Sequence, residues 1–232
     1  MSDSTPQLEV YRMAICLYPQ VALTDFQGPL ELLGSFSTTN RKISGGQFKN
    51  LPNLAINPEF ISDTLDPVVP LVGPSVTPTM TYEEAMKVNF DIVFVPGGLN
   101  PPKAASPSTL EFIKHKGPEA KYLLAVCTGS WLVAYTGLLT GKRATTNKAS
   151  YKMIVEDTKK FNINWVPKAR WVVDDDNHLW TSSGITAGFD LAYAFLKYLA
   201  GEKFAQEVRA LAEVNTVENP DDDNFAEYFG LA

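Results

Sequence analysis

The chain has 232 residues, with 20 Lys and Arg against 26 Asp and Glu, a formal net charge of −6 at pH 7. Hydrophobic residues make up 45% and charged residues 20%, which is enough apolar material to bury a sizeable core without disulfide staples. An acidic chain with no run of Lys and Arg does not fit a nucleic-acid binder, which needs a basic stripe to meet phosphates.

No apolar stretch reaches membrane-spanning length, and the polar start MSDSTPQ carries no apolar signal segment. The two cysteines, Cys16 and Cys127, sit in apolar runs without C-x-x-C spacing, the usage of a reducing compartment. The expectation is a cytoplasmic protein with no membrane partner. Only two histidines occur, His115 and His178, so no metal site is expected.

Apolar and amphipathic segments alternate, which argues for an α/β fold with a mostly parallel sheet and helices on both faces. Val10 to Leu17 reads as the first buried strand, followed by a loop and a helix over Pro29 to Phe36. Residues 41–58, rich in Asn, Gly and Pro, read as a long connection. Phe60 to Pro78 reads as short strands broken by Pro and Gly, and Tyr82 to Lys87 as a short helix. The strand Phe90 to Val95 ends at Pro96-Gly97-Gly98. Ser108 to Lys116 is a helix, Tyr122 to Val126 a buried strand and Gly129 to Leu139 a helix. A short strand follows at Arg143 to Thr146, then a hairpin over Trp165 to Thr181 that turns at Asp174 to Asn177. Helices over Gly188 to Leu199 and Lys203 to Val214 precede an acidic surface tail. With no repeat and no linker, residues 1–232 read as one domain, its core spanning about 10–214.

In YLLAVCTGSWLVAYTGLL an apolar strand runs straight into a helix, with Cys127 at the junction. Such a turn lifts a nucleophile above the sheet edge, and a helix N-terminus lowers a thiol pKa. A small buried hydrophobe would also suit this pattern. Cys16, inside a strand, is structural. Asp25 lies in the loop after the first strand and reads in two ways. It is either a proton partner for Cys127 or the N-cap of the helix at Gly28-Pro29. Gly97 and Gly98 free backbone N–H groups that could join that of Thr128 in an oxyanion hole; a plain turn accounts for them equally well. The loop holding Gly184 and Ile185 is placed to cover a pocket. His115 and His178 read as surface residues. Gly137 to Arg143 falls short of a P-loop, and no dinucleotide fingerprint follows a strand.

The segments TDFQGPLELL, FDIVFVPGG, AVCTGSWLVAYTGLLTGKRATTN and WTSSGITAGFDLA resemble the ThiJ/PfpI superfamily, over about residues 10–214. The resemblance implies a flavodoxin-like sheet with a cysteine nucleophile elbow, of the kind shared with class I glutamine amidotransferases. Within the superfamily the isonitrile hydratase-like branch is most similar, matching at Asp25, Cys127, Thr128 and Gly129. It implies a cofactor-independent hydratase acting on a small-molecule substrate, and a homodimer. Many relatives read A-T-T-H where this chain has Ala144-Thr145-Thr146-Asn147, so a histidine base is missing. The rival expectations are a glyoxalase III-like reaction on 2-oxoaldehydes, or a redox sensor that uses Cys127 without turnover.

Overall fold

The computed structural model describes residues 7–231. The start of the polar segment MSDSTPQ, Met1 to Pro6, lies outside them. Nine strands occur among the described residues: β1 (Glu9–Cys16), β2 (Leu54–Ser62), β3 (Met80–Thr81), β4 (Ile92–Val95), β5 (Tyr122–Val126), β6 (Arg143–Ala144), β7 (Asn164–Trp165), β8 (Trp171–Asp174) and β9 (Leu179–Ser182). Seven of them form one sheet in the order β3-β2-β1-β4-β5-β9-β8. All neighbours are parallel except β8, which returns antiparallel to β9 through the expected hairpin. Strands β6 and β7 pair separately. The fold is a flavodoxin-like α/β sandwich.

The helices are α1 (Thr24–Leu33), α2 (Thr38–Ser44), α3 (Tyr82–Ala85), α4 (Pro101–Ala104), α5 (Pro107–Glu119), α6 (Gly129–Tyr135), α7 (Tyr151–Asp157), α8 (Thr186–Ala200), α9 (Glu202–Leu211) and α10 (Asn224–Tyr228). Helix α1 packs on α8 and α8 on α9, while α6 packs on α4 and α5. The central strands are buried on both faces: Met13, Ile15, Val93, Phe94, Leu124 and Ala125 are at most 1% exposed. Strands covered on both sides read as continuous apolar runs, which is why FDIVFV and YLLAV stood out.

Several boundaries differ from the sequence expectation: the hairpin begins at Trp171, while Trp165 pairs with Ala144 instead, and α6 ends at Tyr135. Helix α1 starts at Thr24, and Pro29 lies inside it. Pro there gives up one backbone bond, and burial of Phe26, Leu32 and Leu33 against the core offsets that loss. Residues 41–58 are not a mere connection: α2 ends in them and β2 begins at Leu54. Pro58 is accommodated within β2 because β3 pairs only with Ile61 and Ser62. The outer side of the strand is therefore open at Pro58, where no donor is needed. From 63 to 78 the chain forms no strand beyond the single bridge between Val68 and Val76.

The strand order reverses between β1, which leads to β2 on one side, and β4, which lies on the other. Ligands of open α/β sheets bind at the carboxyl ends of strands flanking such a switch. The loops that leave β1, β4 and β5 at that edge carry Asp25, Gly97-Gly98 and Cys127.

Candidate active site

Cys127 follows the last residue of β5 and precedes α6. Its φ is +58°, a left-handed conformation costly for a residue with a Cβ. The turn is fastened on each side. The Cys127 N–H lies 3.1 Å from the Ser182 carbonyl and 3.2 Å from that of Ser183. Its own carbonyl accepts from the hydroxyls of Ser130 and Thr146, each at 3.0 Å. Behind the turn, a Cβ on Gly129 would strike the Val95 carbonyl oxygen, so only glycine lets α6 sit this close to β4. The segment therefore has the elbow geometry expected from VCTG.

Asp25 is wholly buried in the first turn of α1. It caps nothing: Leu23 holds the cap position and no side chain caps the helix. The carboxyl turns toward β4 instead, where Oδ2 accepts the Gly97 N–H at 3.1 Å. It also meets the Cys127 thiol and the Ile185 N–H, and Oδ1 completes no hydrogen bond. The N-cap reading of Asp25 is thereby set aside.

Electrostatics at the pair run against one expectation. Burial pushes the Asp25 carboxyl up to about 6, and the bonds from Cys127, Gly97 and Ile185 only partly oppose it. The Cys127 thiol is also pushed up, first by burial and then by the Asp25 charge; the Thr128 and Ile185 N–H groups pull the other way. The helix end acts as anticipated, but desolvation and a neighbouring carboxylate outweigh it. Of the two groups the carboxyl stays the more acidic, so when the pair loses a proton the charge falls on Asp25 and the remaining proton stays on sulfur.

The glycine turn also differs from expectation in its partners. The Gly97 N–H is committed to Asp25 and the Gly98 N–H to Thr128 Oγ1, at 2.9 Å. The same hydroxyl donates to the Gly98 carbonyl, also at 2.9 Å. Neither glycine N–H is free to meet a developing charge, because each is spent on holding a side chain. The N–H groups that meet the sulfur are those of Thr128 and Ile185. Ile185 reaches it from a φ of +44°, a second strained non-glycine residue beside the thiol. Gly184 lies below: a Cβ there would stand 3.3 Å from Asn147 Cβ and 3.7 Å from Cys127 Sγ.

A cavity of about 380 Å³ opens on the thiol, lined by Cys127, Asn147, Gly184, Ile185, Phe225 and Phe229 among others. Asn147 Oδ1 is buried there without a hydrogen-bond partner. Phe225 and Phe229 come from the tail, whose pattern read only as acidic surface. Tyr18, also unremarked in the sequence, is buried and donates its hydroxyl to the Pro96 carbonyl at 2.7 Å, bracing the turn.

The remaining candidates fall elsewhere. Cys16 is wholly buried in β1, and burial raises its thiol. His115 pairs with Glu111 on α5, and His178 stands at the opposite, amino-terminal end of β9. Asp190 is paired with Arg170 at 2.5 Å inside the body. Among the described residues no group of three His, Cys, Asp or Glu could hold a metal ion. Nor is any helix long and apolar enough to cross a membrane.

The chain that carries this elbow cysteine and buried carboxyl is similar to known proteins. Residues 12–198 match the DJ-1/PfpI family. The chain belongs to the DJ-1/PfpI family. A relative named isonitrile hydratase, from Pseudomonas putida, is 32% identical over 87% of this chain and 78% of its own length. A Pyrococcus abyssi protein named a deglycase is 30% identical over 49% of this chain and 64% of its own. Among solved structures, a ThiJ/PfpI family protein from Pseudomonas syringae superposes with a TM-score of 0.71 at 25% identity. That match covers 92% of this chain and 78% of the other. DJ-1/PfpI members thus include proteins named for different reactions, and family membership alone does not choose among them.

Proposed function

We propose that the protein is a cofactor-independent hydratase that adds water to the terminal carbon of an isonitrile. The observation that carries this reading is the buried pair of Asp25 and Cys127, assembled with no histidine at the site. It gives a nucleophile and a single group that can take and return a proton. The 32% identity to the Pseudomonas putida isonitrile hydratase supports the same chemistry.

In the first step the Asp25 carboxylate takes the thiol proton as Cys127 Sγ bonds to the isonitrile carbon. Asp25 then returns that proton to the same carbon, giving an S-linked thioformimidate. Isonitriles react in this way because their terminal carbon accepts a nucleophile and a proton in turn. Water, deprotonated by Asp25, adds to the thioformimidate carbon, and the nitrogen is protonated. Collapse of the adduct breaks the C–S bond, so one N-substituted formamide leaves and the thiol is restored. The N–H groups of Thr128 and Ile185 stabilise sulfur while it carries charge, and Asn147 Oδ1 offers an acceptor for the water.

A carboxyl near 6 is largely charged at neutral pH, so it can accept the thiol proton as the C–S bond forms, and it is still basic enough to return that proton. A redox sensor would need a thiol held as thiolate, whereas burial and Asp25 hold this one protonated. Assay of purified protein with an isonitrile and with methylglyoxal tests the assignment. Formamide from the first supports it. Lactate from the second with no formamide overturns it in favour of glyoxalase III-like chemistry. A homodimeric state and a cytoplasmic location belong to the same proposal, and sedimentation of the purified protein checks the former.

A further inference from the structure

The acidic tail ends in a short helix that the site uses. Phe225 and Phe229 lie four residues apart on and just after α10, hence on one helical face, and both line the Cys127 cavity. They remain 56% and 37% exposed, although large aromatic side chains ordinarily gain by burial. Ile185, 51% exposed, lines the same cavity. Asn147, Lys148, Ser183 and Thr186 are the polar residues of the lining beside Cys127; the Lys148 ammonium donates to Thr145 Oγ1 and the Ala169 carbonyl, and the Thr186 hydroxyl accepts from Arg170.

A five-residue helix has no stability of its own in water, so its position must be imposed. Asp223, 2% exposed, caps it by accepting the Phe225 N–H at 3.0 Å. The same carboxylate lies 3.7 Å from Arg170, whose Nε bonds Asp190 at 2.5 Å. The Arg170 N–H donates to the Pro220 carbonyl at 2.7 Å, and the Asp223 N–H to the Lys168 carbonyl at 2.9 Å. Buried charges are costly to assemble, yet here they secure a segment that brings two phenyl rings to the lining of the Cys127 cavity. The tail lies beyond residues 12–198, the part matched to the family.

Resting on the hydratase reading above, we propose that Phe225 and Phe229 are specificity-determining residues. They form an apolar wall that selects isonitriles carrying a ring-sized apolar substituent on nitrogen over small or charged ones. The cavity, about 380 Å³, falls within the span of small-molecule sites.

The test compares kcat/KM for benzyl isonitrile and methyl isonitrile in wild type, Phe225→Ala, Phe229→Ala and Glu227→Gln, the last altering an exposed residue of the same helix. Wild type is expected to favour the benzyl compound, and each Phe variant to lose about tenfold of that ratio, through KM. Glu227→Gln is expected to keep the ratio. An equal ratio in all four proteins overturns the wall. A second arm needs no turnover: intact-mass rates of Cys127 alkylation by N-phenyliodoacetamide and by iodoacetamide. If no isonitrile is hydrated, the hydratase reading fails, and this arm alone judges the wall. A phenyl preference lost in the Phe variants supports it, and one absent from wild type or kept in the variants overturns it.

Discussion

Gly97 donates its N–H to Asp25 Oδ2 over 3.1 Å, from a place where no side chain fits. A Cβ at residue 97 would stand 2.5 Å from that oxygen and 2.8 Å from both the N and Oγ1 of Thr128. Its neighbours are the buried Asp25 carboxyl and the elbow backbone, neither of which can yield without moving the site. Gly97→Ala is therefore expected to lower kcat/KM by about 100-fold, the scale of a misplacement near 1 Å. Overpacking should cost about 1–3 kcal/mol of stability. Steady-state kinetics with a thermal melt check both; wild-type kinetics in the variant would mean that Asp25 does not need this contact.

Asp25 should destabilise the fold that it serves. Its folded value, about 6, lies above its ordinary 3.8 because burial disfavours the charge. For a raised pKa, the stabilising contribution is fully present below about pH 4 and is lost as pH rises through about 6. Asp25→Asn cannot ionise and keeps the Gly97 contact, so it should be more stable than wild type at pH 8, by about 2–3 kcal/mol. The difference should vanish near pH 4, while turnover is lost throughout. Urea titrations at the two pH values measure it, and a variant less stable than wild type at pH 8 contradicts the burial argument.

The same carboxyl is expected to set the pH dependence of turnover. Below about 6 Asp25 is protonated and cannot accept the thiol proton, so the pair is inactive. kcat/KM is expected to rise about tenfold per pH unit up to about pH 6 and then level, the apparent pKa belonging to the Asp25–Cys127 pair. A thiol reacting as a free thiolate would instead keep gaining rate into the alkaline range. Initial rates across pH 4.5–9 separate the two.

Much of this was legible before any coordinates. Runs such as FDIVFV and YLLAV announce strands covered on both faces, and VCTGS at the end of one announces the elbow. What the sequence left ambiguous were choices between local and distant partners. Asp25 ahead of Gly-Pro suits a helix cap, and only the arrival of β4 beside β1 gives its carboxyl the Gly97 N–H instead. Gly97 and Gly98 suit an oxyanion hole until Asp25 and Thr128 are seen to occupy their donors. Pro29 and Pro58 read as breaks because propensity is local, whereas core burial and an open strand edge are tertiary. The tail was hardest: its composition is acidic, and its role depends on Asp223 finding Arg170 from far along the chain.

Thr128 is the last member of the site whose role is separable. Its single hydroxyl oxygen accepts the Gly98 N–H and donates to the Gly98 carbonyl, both at 2.9 Å. It thereby ties the elbow to the turn that holds Asp25. Thr128→Val keeps the shape but leaves both Gly98 groups without that partner, at a cost of about 1–3 kcal/mol. With the tie gone, the turn shifts relative to the thiol, and kcat/KM should fall at least about tenfold. Thr128→Ser retains the hydroxyl and should stay within a few-fold of wild type. A loss in Thr128→Ser with none in Thr128→Val would point instead to the methyl group and its packing; no loss in either would show that the Thr128 N–H, which both keep, is all the site needs from this residue.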